Sequence, residues 1–594
     1  MYRCTQCGNL DTTDNEEPFK TCQLADGERC EACQKLYVLD VQISEAKTFL
    51  ENLLYRRREL KFEVNRLHDP IIYRMPLEVV TKIFDIYANS WELPGAESVN
   101  HSPFTLGAVC QIWRHIVWST PQLWTCIAMD LSVNSQRDTE KYNSRVQVLS
   151  KHIDLSGNRP LRIALCAPKE VSTQYVSSII DIINKCSRRW RRLDLKLPEW
   201  LIPLFTGHVD EPNVESCKGN AAPVLEELCI HNTSEDYEDP SFSLAGSGNV
   251  PGAKPAPIIV DFRSLRVRLI NLEWNKVTHV TLDGEVFMDD VLVLLQCTPQ
   301  LIECKISETY GWEDNAPDVN SMSPLIHPSL QRLDISLGDC IVDIFSIITL
   351  PALERLKCDF QNYAMSADPF TSFLTRSHSR SSLSTSGSDV NTQLKALWLL
   401  GVNFLEGPSP LIQICQATPA LVDFRLEKVS LIPSGLSPPP CEPPLLGLLQ
   451  VLSNERSLST AMATGRQYVG EATGLAANFD PPNGVTETPP LLPFLEILKM
   501  TIKFDCFFPW ELIPGIFLPF DASTPSQRRP LNTVDISCVR SSALYPPKLY
   551  VRPETVALFR ELRKQGVDLK VREESPIVSV DLLDRDYIAR APGL

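Results

Sequence analysis

The sequence predicts a mixed α/β fold in which helical segments come first and a long array of helix–strand units follows. Three patterns support this: a leucine pattern recurs from about residue 150 onward, two helix-like segments lie between 70 and 127, and an apolar stripe with heptad spacing runs from 36 to 68. The 594 residues, 43% of them apolar and 22% charged, are enough for such an array together with small modules.

The recurring unit is a helix-like apolar run, a proline or polar stop, and then Leu-x-x-Leu-x-apolar, a pattern typical of a short strand. Clear copies lie at 223–230, 299–306, 328–335, 351–358, 393–399, 419–426, 493–500 and 530–536, and looser ones at 192–197 and 277–282. The copies that begin at 299, 328 and 351 are 29 and 23 residues apart, which is within the period of leucine-rich repeats.

Each such unit has an apolar face that it cannot bury alone, so that stacked neighbours must supply the core. The sequence therefore predicts a leucine-rich-repeat-like solenoid over 150–575, with a parallel sheet on one side and helices on the other. Helices are expected at 289–297, 341–349 and 411–417. The last unit is expected to be a helix over 554–565, Gly566 as its C-cap, and a strand over 567–571.

Four segments interrupt the repeat, and all are rich in polar residues, glycine, proline or serine: 207–222, 235–258, 376–391 and 433–489. Their composition predicts disordered or loop insertions on a rim of the solenoid. Residues 576–594 are interpreted as a C-terminal tail.

The stripe over 36–68 predicts a long helix. Its apolar residues alternate at spacings of four and three, broken only by Arg57; they are Leu39, Ile43, Ala46, Leu50, Leu53, Leu60, Val64 and Leu67. This heptad seam favours a coiled coil, parallel or antiparallel, that would make the protein a homodimer. The alternative is a single long helix that packs its stripe on its own chain.

The first 35 residues are polar and dense in cysteine. Cys4 and Cys7 form one Cys-x-x-Cys pair, and Cys30 and Cys33 form a second. Zinc favours four soft ligands in a tetrahedron, and each pair would supply two. The sequence therefore predicts a structural zinc site; the alternative is a polar tail with incidental thiols.

Residues 69–127 are expected to form a helical domain. A helix is predicted over 76–87, with Pro76 in its first turn, and a second helix over 104–118, before Pro121-Gln-Leu-Trp124 closes the segment. The apolar faces consist of Val79, Val80, Ile83, Phe84 and Tyr87 in the first helix and Leu106, Val109, Cys110, Trp113, Ile116 and Val117 in the second.

This segment resembles the F-box motif, and most closely the F-box-like proteins abundant in basidiomycete fungi. The resemblance is carried by Pro76-Leu-Glu-Val, Ile83-Phe, Val109-Cys-Gln-x-Trp113-Arg and Pro121-x-Leu-Trp124. In that family a coiled-coil-like helix precedes the motif and degenerate leucine-rich repeats follow it, which is the order found here. The chain departs from the family's usual pattern at Met75, where leucine is common, and at Gln111, where a basic residue is common.

The resemblance implies a function. F-box helices dock on the small adaptor of a cullin-RING (SCF) ubiquitin ligase, and the repeats hold a protein substrate. The residues expected to divide between the adaptor-binding surface and the module's own core are Pro76, Leu77, Val79, Ile83, Phe84, Val109, Trp113 and Leu123. The alternative is a repeat scaffold that assembles proteins without the ubiquitin machinery.

Composition argues against several other classes of function. The net charge of -16 repels phosphate backbones, so that neither nucleic acid nor an anionic membrane is an expected partner. No secretory signal is recognised and no apolar run is long enough to span a bilayer, so the expected compartment is cytoplasmic or nuclear. The motifs of hydrolases and metalloproteases are absent, and we expect a protein that is not an enzyme.

Overall fold

The structure is a computed structural model that describes residues 30–68, 75–88, 102–131, 139–171, 173–206, 225–234, 242–243, 256–311, 323–338, 341–361, 363–365, 367–379, 394–404, 409–430, 444–453, 490–504, 508–517, 528–540, 551–574 and 579–583. The chain divides into two compact units. The first comprises Met1–Trp91 and Ser98–Trp124, and the second Glu92–Glu97 and Thr125–Leu594.

The described part of the first unit is helical. Its elements are α1 (Glu31–His68), α2 (Leu77–Ala88), α3 (Pro103–Val109), α4 (Gln111–Trp118) and a 3₁₀ turn (Pro121–Trp124).

Helix α1 begins at Glu31, five residues before the predicted start at 36. The described seam side chains with large apolar groups, from Leu39 to Val64, are 44–56% exposed. The stripe is thus not covered by the described residues, and both expectations for this helix stay predictions.

The single helix predicted over 104–118 is wrong: the structure has two helices separated at Cys110. The backbone of Cys110 is extended, with φ -155° and ψ 172°, which ends α3, and its Sγ accepts a hydrogen bond from the Trp113 N–H at 3.4 Å, which caps α4. The Cys110 thiol can accept a hydrogen bond from the first turn of α4, and this allows the chain to break between the two helices. The apolar pattern of the sequence does not reveal that break.

The second unit contains one large, almost entirely parallel sheet. Fourteen strands pair with their neighbours in chain order and in parallel: β1 (Cys126–Asp130), β2 (Leu161–Cys166), β3 (Trp190–Leu197), β4 (Glu227–Asn232), β6 (Ile259–Arg263), β8 (His279–Asp283), β10 (Glu303–Tyr310), β12 (Arg332–Leu337), β14 (Arg355–Asp359), β16 (Ala396–Leu400), β18 (Asp423–Ser430), β19 (Ile497–Phe504), β20 (Thr533–Arg540) and β21 (Asp568–Glu574).

The remaining strands are short. Strand β22 (Ser579–Asp581) adds to β21 in antiparallel orientation, and β9 (Val286–Phe287) adds to β10. Three separate two-stranded pairs are formed by β5 (Phe242–Ser243) with β7 (Ile270–Asn271), β11 (Leu325–Ile326) with β13 (Ile348–Thr349), and β15 (Ala364–Met365) with β17 (Asn403–Phe404).

Helices connect many of the strands. They are α5 (Thr139–Leu155), α6 (Thr173–Lys185), α7 (Met288–Cys297), α8 (Ile341–Ile347), α9 (Ala367–Ser379), α10 (Ser409–Ala417), α11 (Pro444–Leu452) and a last helix at Pro553–Lys564. Short 3₁₀ segments lie at Ser187–Arg189, Glu199–Leu204, Val267–Leu269, Trp274–Lys276, Trp510–Leu512 and Pro514–Phe517.

The mixed α/β fold with a large parallel sheet is confirmed. Each of the ten predicted copies contributes a strand to the sheet, and the helices predicted at 289–297, 341–349 and 411–417 correspond to α7, α8 and α10. The final unit also matches: the helix Pro553–Lys564 ends before Gly566, whose φ of 92° is the left-handed conformation that glycine adopts readily.

The three apolar positions of the leucine pattern form three rows of buried side chains, which we call the buried rows. The first leucine precedes the strand and is buried in each clear copy, as Leu301 and Leu330 illustrate. The second leucine and the last apolar residue lie on the strand, where in-register pairing aligns them with their equivalents on both neighbours, as in Leu333 beside Leu356 and Ile335 beside Cys358. Because side chains alternate across a strand, these strands of the main sheet each have one face that is apolar and buried.

The structure also contains elements that the sequence interpretation missed. Strands β1, β2 and β6 lie outside the predicted copies, and β22 lies inside the predicted tail. Helix α11 lies inside the predicted insertion 433–489 and buries Leu445, Leu448, Leu449 and Leu452. The insertion as a whole is rich in proline and glycine. The helical spacing of these four leucines was therefore not recognised in the sequence. The insertion 207–222 lies outside the described residues.

A buried ion pair joins a loop to a helix in the middle of this unit. The Arg266 Nε donates to Asp290 Oδ2 at 2.5 Å, and Arg268 Nε lies 3.3 Å from Oδ1 of the same carboxylate. Both Arg266 and Asp290 are buried. Burial raises the pKa of the Asp290 carboxyl, and the charge of Arg266 opposes that rise.

We predict that Asp290→Asn lowers the free energy of unfolding by about 3 kcal/mol, since it leaves the buried guanidinium of Arg266 without its counter-charge. The neighbouring Asp289→Asn is the control: Asp289 is partly exposed and contacts only Arg268, at 3.4 Å, among the ion pairs observed, so its loss should cost about 1 kcal/mol or less. Denaturant unfolding followed by circular dichroism measures both; equal losses would contradict the prediction.

Candidate functional site

The helical module, residues 75–124 of the first unit, carries most of the residues that the sequence nominates. Helix α2 starts directly after Pro76, whose carbonyl accepts hydrogen bonds from the N–H groups of Val79 and Val80. Helix α3 starts with Pro103 after Ser102, whose Oγ accepts a hydrogen bond from the Phe104 N–H at 3.3 Å. The start of α3 thus combines a capping serine with a proline in the first turn, the positions where a helix tolerates them best.

Aromatic side chains form the core of this module. Phe104 and Trp118 pack edge-on against Trp124, at centroid distances of 4.9 and 5.6 Å, and the buried Trp124 Nε1 donates to the Val117 carbonyl at 2.8 Å. Gly107 allows this packing, because a Cβ at that position would overlap the ring of Trp118. The core thus fixes α3, α4 and the 3₁₀ turn together.

Helix α2 has two apolar faces, and only one of them is buried. Val80, Phe84 and Ala88 face the module's core, where the Phe84 ring lies 4.6 Å from that of Trp113. Val79, Ile83 and Ile86, one turn apart on another side of α2, are exposed. We call these three residues the outer stripe. Lys82, three residues after Val79 and four before Ile86, borders this stripe and pairs with Asp85 at 3.0 Å.

The eight residues nominated from the sequence divide between surface and core. Pro76, Leu77, Val79, Ile83 and Val109 are exposed, Phe84 and Leu123 are buried, and Trp113 is partly buried. The exposed members can contact a partner, whereas the buried ones shape the module that presents them.

Ile86 was missed by the sequence interpretation, although it is 62% exposed, more than any nominated residue in α2. The signal was available: Ile86 lies three residues after Ile83 and seven after Val79, which places all three on one side of a helix. Exposed apolar side chains grouped in this way are typical of an interaction surface.

Of the four nominated zinc ligands, the structure describes two. Cys30 directly precedes α1 and Cys33 lies in its first turn, where the Cys33 N–H points to the Cys30 Sγ at 3.5 Å. Cys4 and Cys7 lie outside the described residues. Among the residues that are described, no three His, Cys, Asp or Glu side chains come close enough together to hold a metal ion. The zinc site therefore stays a prediction.

The face of the sheet opposite the buried rows is charged. Ion pairs connect neighbouring strands across it: Arg192 to Glu227 at 2.6 Å, Arg332 to Glu303 at 3.0 Å, and Lys357 to Asp334 at 3.0 Å. We call this surface the strand face. Pairs at exposed positions contribute little to stability, so the charges on this face can vary without loss of the fold.

Trp398 on β16 brings an aromatic ring to the strand face. The Arg425 guanidinium stacks on its ring at 3.9 Å, Arg355 lies 5.6 Å from it, and its Nε1 donates to Asp423 Oδ2 at 3.1 Å. Tryptophan and arginine are the residue types that most often dominate the energy of a protein interface. The sequence interpretation did not nominate Arg355, Trp398 and Arg425, which come from three successive strands of the sheet.

Several thiols pack as apolar residues in the buried rows. Burial raises the pKa of the Cys304 thiol to about 12, and burial likewise raises the pKa of Cys358. These groups are therefore protonated at neutral pH, and the role of each is to fill its place between neighbouring strands.

Comparison with known proteins adds no relative: no protein-family model matches the chain, and no curated protein matches it either. Among the described residues, no helix is long and apolar enough to cross a membrane.

We predict a large effect on stability for one residue of α2 and a small effect for its neighbour. Phe84→Ala should destabilise the module by about 3–4 kcal/mol, because it removes a buried ring that packs on Trp113. Ile83→Asp, on the outer stripe, should change stability by about 0.5 kcal/mol or less. Thermal unfolding followed by tryptophan fluorescence tests this, and a large loss with Ile83→Asp would contradict the division into two faces.

Proposed function

We propose that this protein is a substrate-recruiting subunit of a cullin-RING (SCF) ubiquitin ligase, with no catalytic chemistry of its own. The helical module would act as an F-box-like domain that binds the ligase adaptor and, through it, a cullin. The sheet and its helices would form a leucine-rich-repeat-like solenoid that binds a protein substrate.

The outer stripe of α2 is the observation that carries the proposal. Val79, Ile83 and Ile86 leave apolar surface exposed on the segment whose sequence resembles the F-box motif. An exposed stripe on a helix fits a partner that offers a hydrophobic groove, in which residues spaced by three and four act as anchors. Pro76, Leu77 and Val109, exposed in the same module, would extend the contact.

The strand face supports the second half of the proposal. Parallel strands in chain order offer an extended surface whose outward residues are not needed for the core, a surface type that repeat proteins use for binding. We assign the centre of the substrate surface to Trp398 with Arg355 and Arg425, because a stacked aromatic and two guanidinium groups can bury area and donate hydrogen bonds together.

The test is co-purification of the full-length chain with the SCF adaptor. Wild type should recover the adaptor in stoichiometric amount, and Ile83→Glu should reduce recovery about tenfold or more, because it places a charge in the apolar contact. Glu78→Gln, which also changes the charge of α2 by one unit but at an exposed position about 100° around the helix from Val79, is the matched control and should retain binding.

Circular dichroism would establish that both variants are folded. Failure of the wild-type protein to bind the adaptor would overturn the proposal and leave the repeat scaffold without ubiquitin machinery as the function to pursue. Equal loss in both variants would show that the outer stripe is not the contact.

We further propose that Cys4, Cys7, Cys30 and Cys33 bind one structural zinc ion. The support is the pairing of two thiols three positions apart at the start of α1, where the Cys33 N–H points to the Cys30 sulfur, together with the second Cys-x-x-Cys pair of the sequence, since each such pair can supply two of the four ligands of a zinc ion.

Elemental analysis of the purified full-length protein should therefore find about one zinc per chain, by the four-ligand stoichiometry of such sites. The double replacement Cys30→Ser/Cys33→Ser should remove it, and Cys297→Ser, which changes an exposed thiol elsewhere, should not. Wild-type protein without zinc would contradict this prediction.

A further inference from the structure

Helix α1 leaves a long apolar seam exposed. The two seam positions of the heptad carry different sets of residues. With the observed spacing, Ile43, Leu50, Arg57 and Val64 occupy the first seam position of each heptad, usually named a. Leu39, Ala46, Leu53 and Leu60 occupy the second, named d. All eight lie in one continuous helix and are exposed.

A second copy of the chain in parallel orientation would meet two electrostatic obstacles. Parallel pairing places each a residue beside the same residue of the other copy, so that Arg57 would face Arg57 inside the seam. In the flanking positions, Arg56 of one helix would face Lys61 of the other. Both contacts bring like charges together, and the first does so in the part of the interface that is furthest from water.

Antiparallel pairing removes both obstacles. In that orientation a residues face d residues, and one register pairs the seam completely: Leu39 with Val64, Ile43 with Leu60, Ala46 with Arg57 and Leu50 with Leu53 of the second copy. The long side chain of Arg57 then lies against the smallest residue of the seam, so that its stem can pack while its guanidinium reaches solvent.

The flanking residues fit the same register. Asp40 would face Lys61 of the second copy, which is an attractive pair, and Phe49 would face Arg56, an arrangement that permits a cation–π contact. By two-fold symmetry each pair occurs twice. Antiparallel registers shifted by one heptad in either direction bring Lys47 against Lys47 or against Lys61, so that charge selects a single register.

We propose that α1 forms an antiparallel coiled coil with a second copy of this chain, paired over residues 39–64 in this register. The paired segment is 26 residues, about 39 Å of helix at 1.5 Å per residue. We choose a second copy of this chain as the partner because the residues that complement each half of α1 lie in the other half of the same helix. The inference is independent of the ubiquitin-ligase proposal.

Charge reversal at Lys61 distinguishes the orientations. In the antiparallel dimer Lys61→Asp would place the new carboxylate opposite Asp40 twice and should raise the dimer Kd about tenfold at low salt. In a parallel dimer the same change would place that carboxylate opposite Arg56 and lower the Kd. Asp40→Lys/Lys61→Asp together restore the antiparallel pairs and should return the Kd to within about twofold of wild type.

Sedimentation equilibrium of the full-length protein measures these constants. Arg58→Asp, with a similar charge change at an exposed position outside the seam, is the control and should leave the Kd within about twofold. Leu53→Glu should abolish the dimer, whereas Tyr55→Glu, on the outward side of the same helix turn, should not. A monomeric wild type, a tighter dimer with Lys61→Asp, or a dimer that survives Leu53→Glu would each overturn the proposal.

Discussion

The in-register pairing of parallel strands is the constraint on which the second unit depends. Because each strand aligns residue by residue with the next, every strand must supply an apolar side chain at the same two positions, or its neighbours on both sides lose contacts. The positions tolerate variation in shape but not in polarity: Phe424 pairs with Leu397 and Leu498, and Met500 with Leu426 and Ile536. Thiols at Cys304 and Cys358 are accepted for the same reason, since a protonated thiol behaves as a small apolar group.

Side chains alternate between the two faces of a strand, so the face opposite the buried rows does not contribute to the core. Many of its residues are charged, and they pair across strands at distances such as the 3.0 Å between Lys357 and Asp334. A surface of this kind can acquire a binding site by changing side chains alone, because the backbone that carries them is held from the other side. Trp398, stacked on Arg425, is the place on this face where apolar area and donors coincide.

The described part of the first unit is built differently, since it leaves apolar surface exposed along α1 and α2. The seam of α1 and the outer stripe of α2 each carry several exposed aliphatic side chains at helical spacing. In α2 these exposed side chains are additional to the residues that the helix buries in the module's core, which are Val80, Phe84 and Ala88. Exposed apolar residues grouped in this way are typical of interaction surfaces. In the pairings proposed above, the seam of α1 would meet a second copy of the chain, whereas the short stripe of α2 would enter a groove of a different protein.

The sequence by itself determined the position and polarity of most of the elements. Period and polarity are local properties, so that the recurring leucines located ten strands, and Pro76 and Gly566 located the ends of helices. It did not reveal the break at Cys110, the short helix α11 or the strands β1, β2 and β6, because each is decided by contacts that the local pattern does not contain. Only the tertiary structure separated Ile83 from Phe84, neighbours of equal apolar character, into surface and core. It alone brought Arg355, Trp398 and Arg425 together, because parallel pairing joins residues that lie tens of positions apart in the chain.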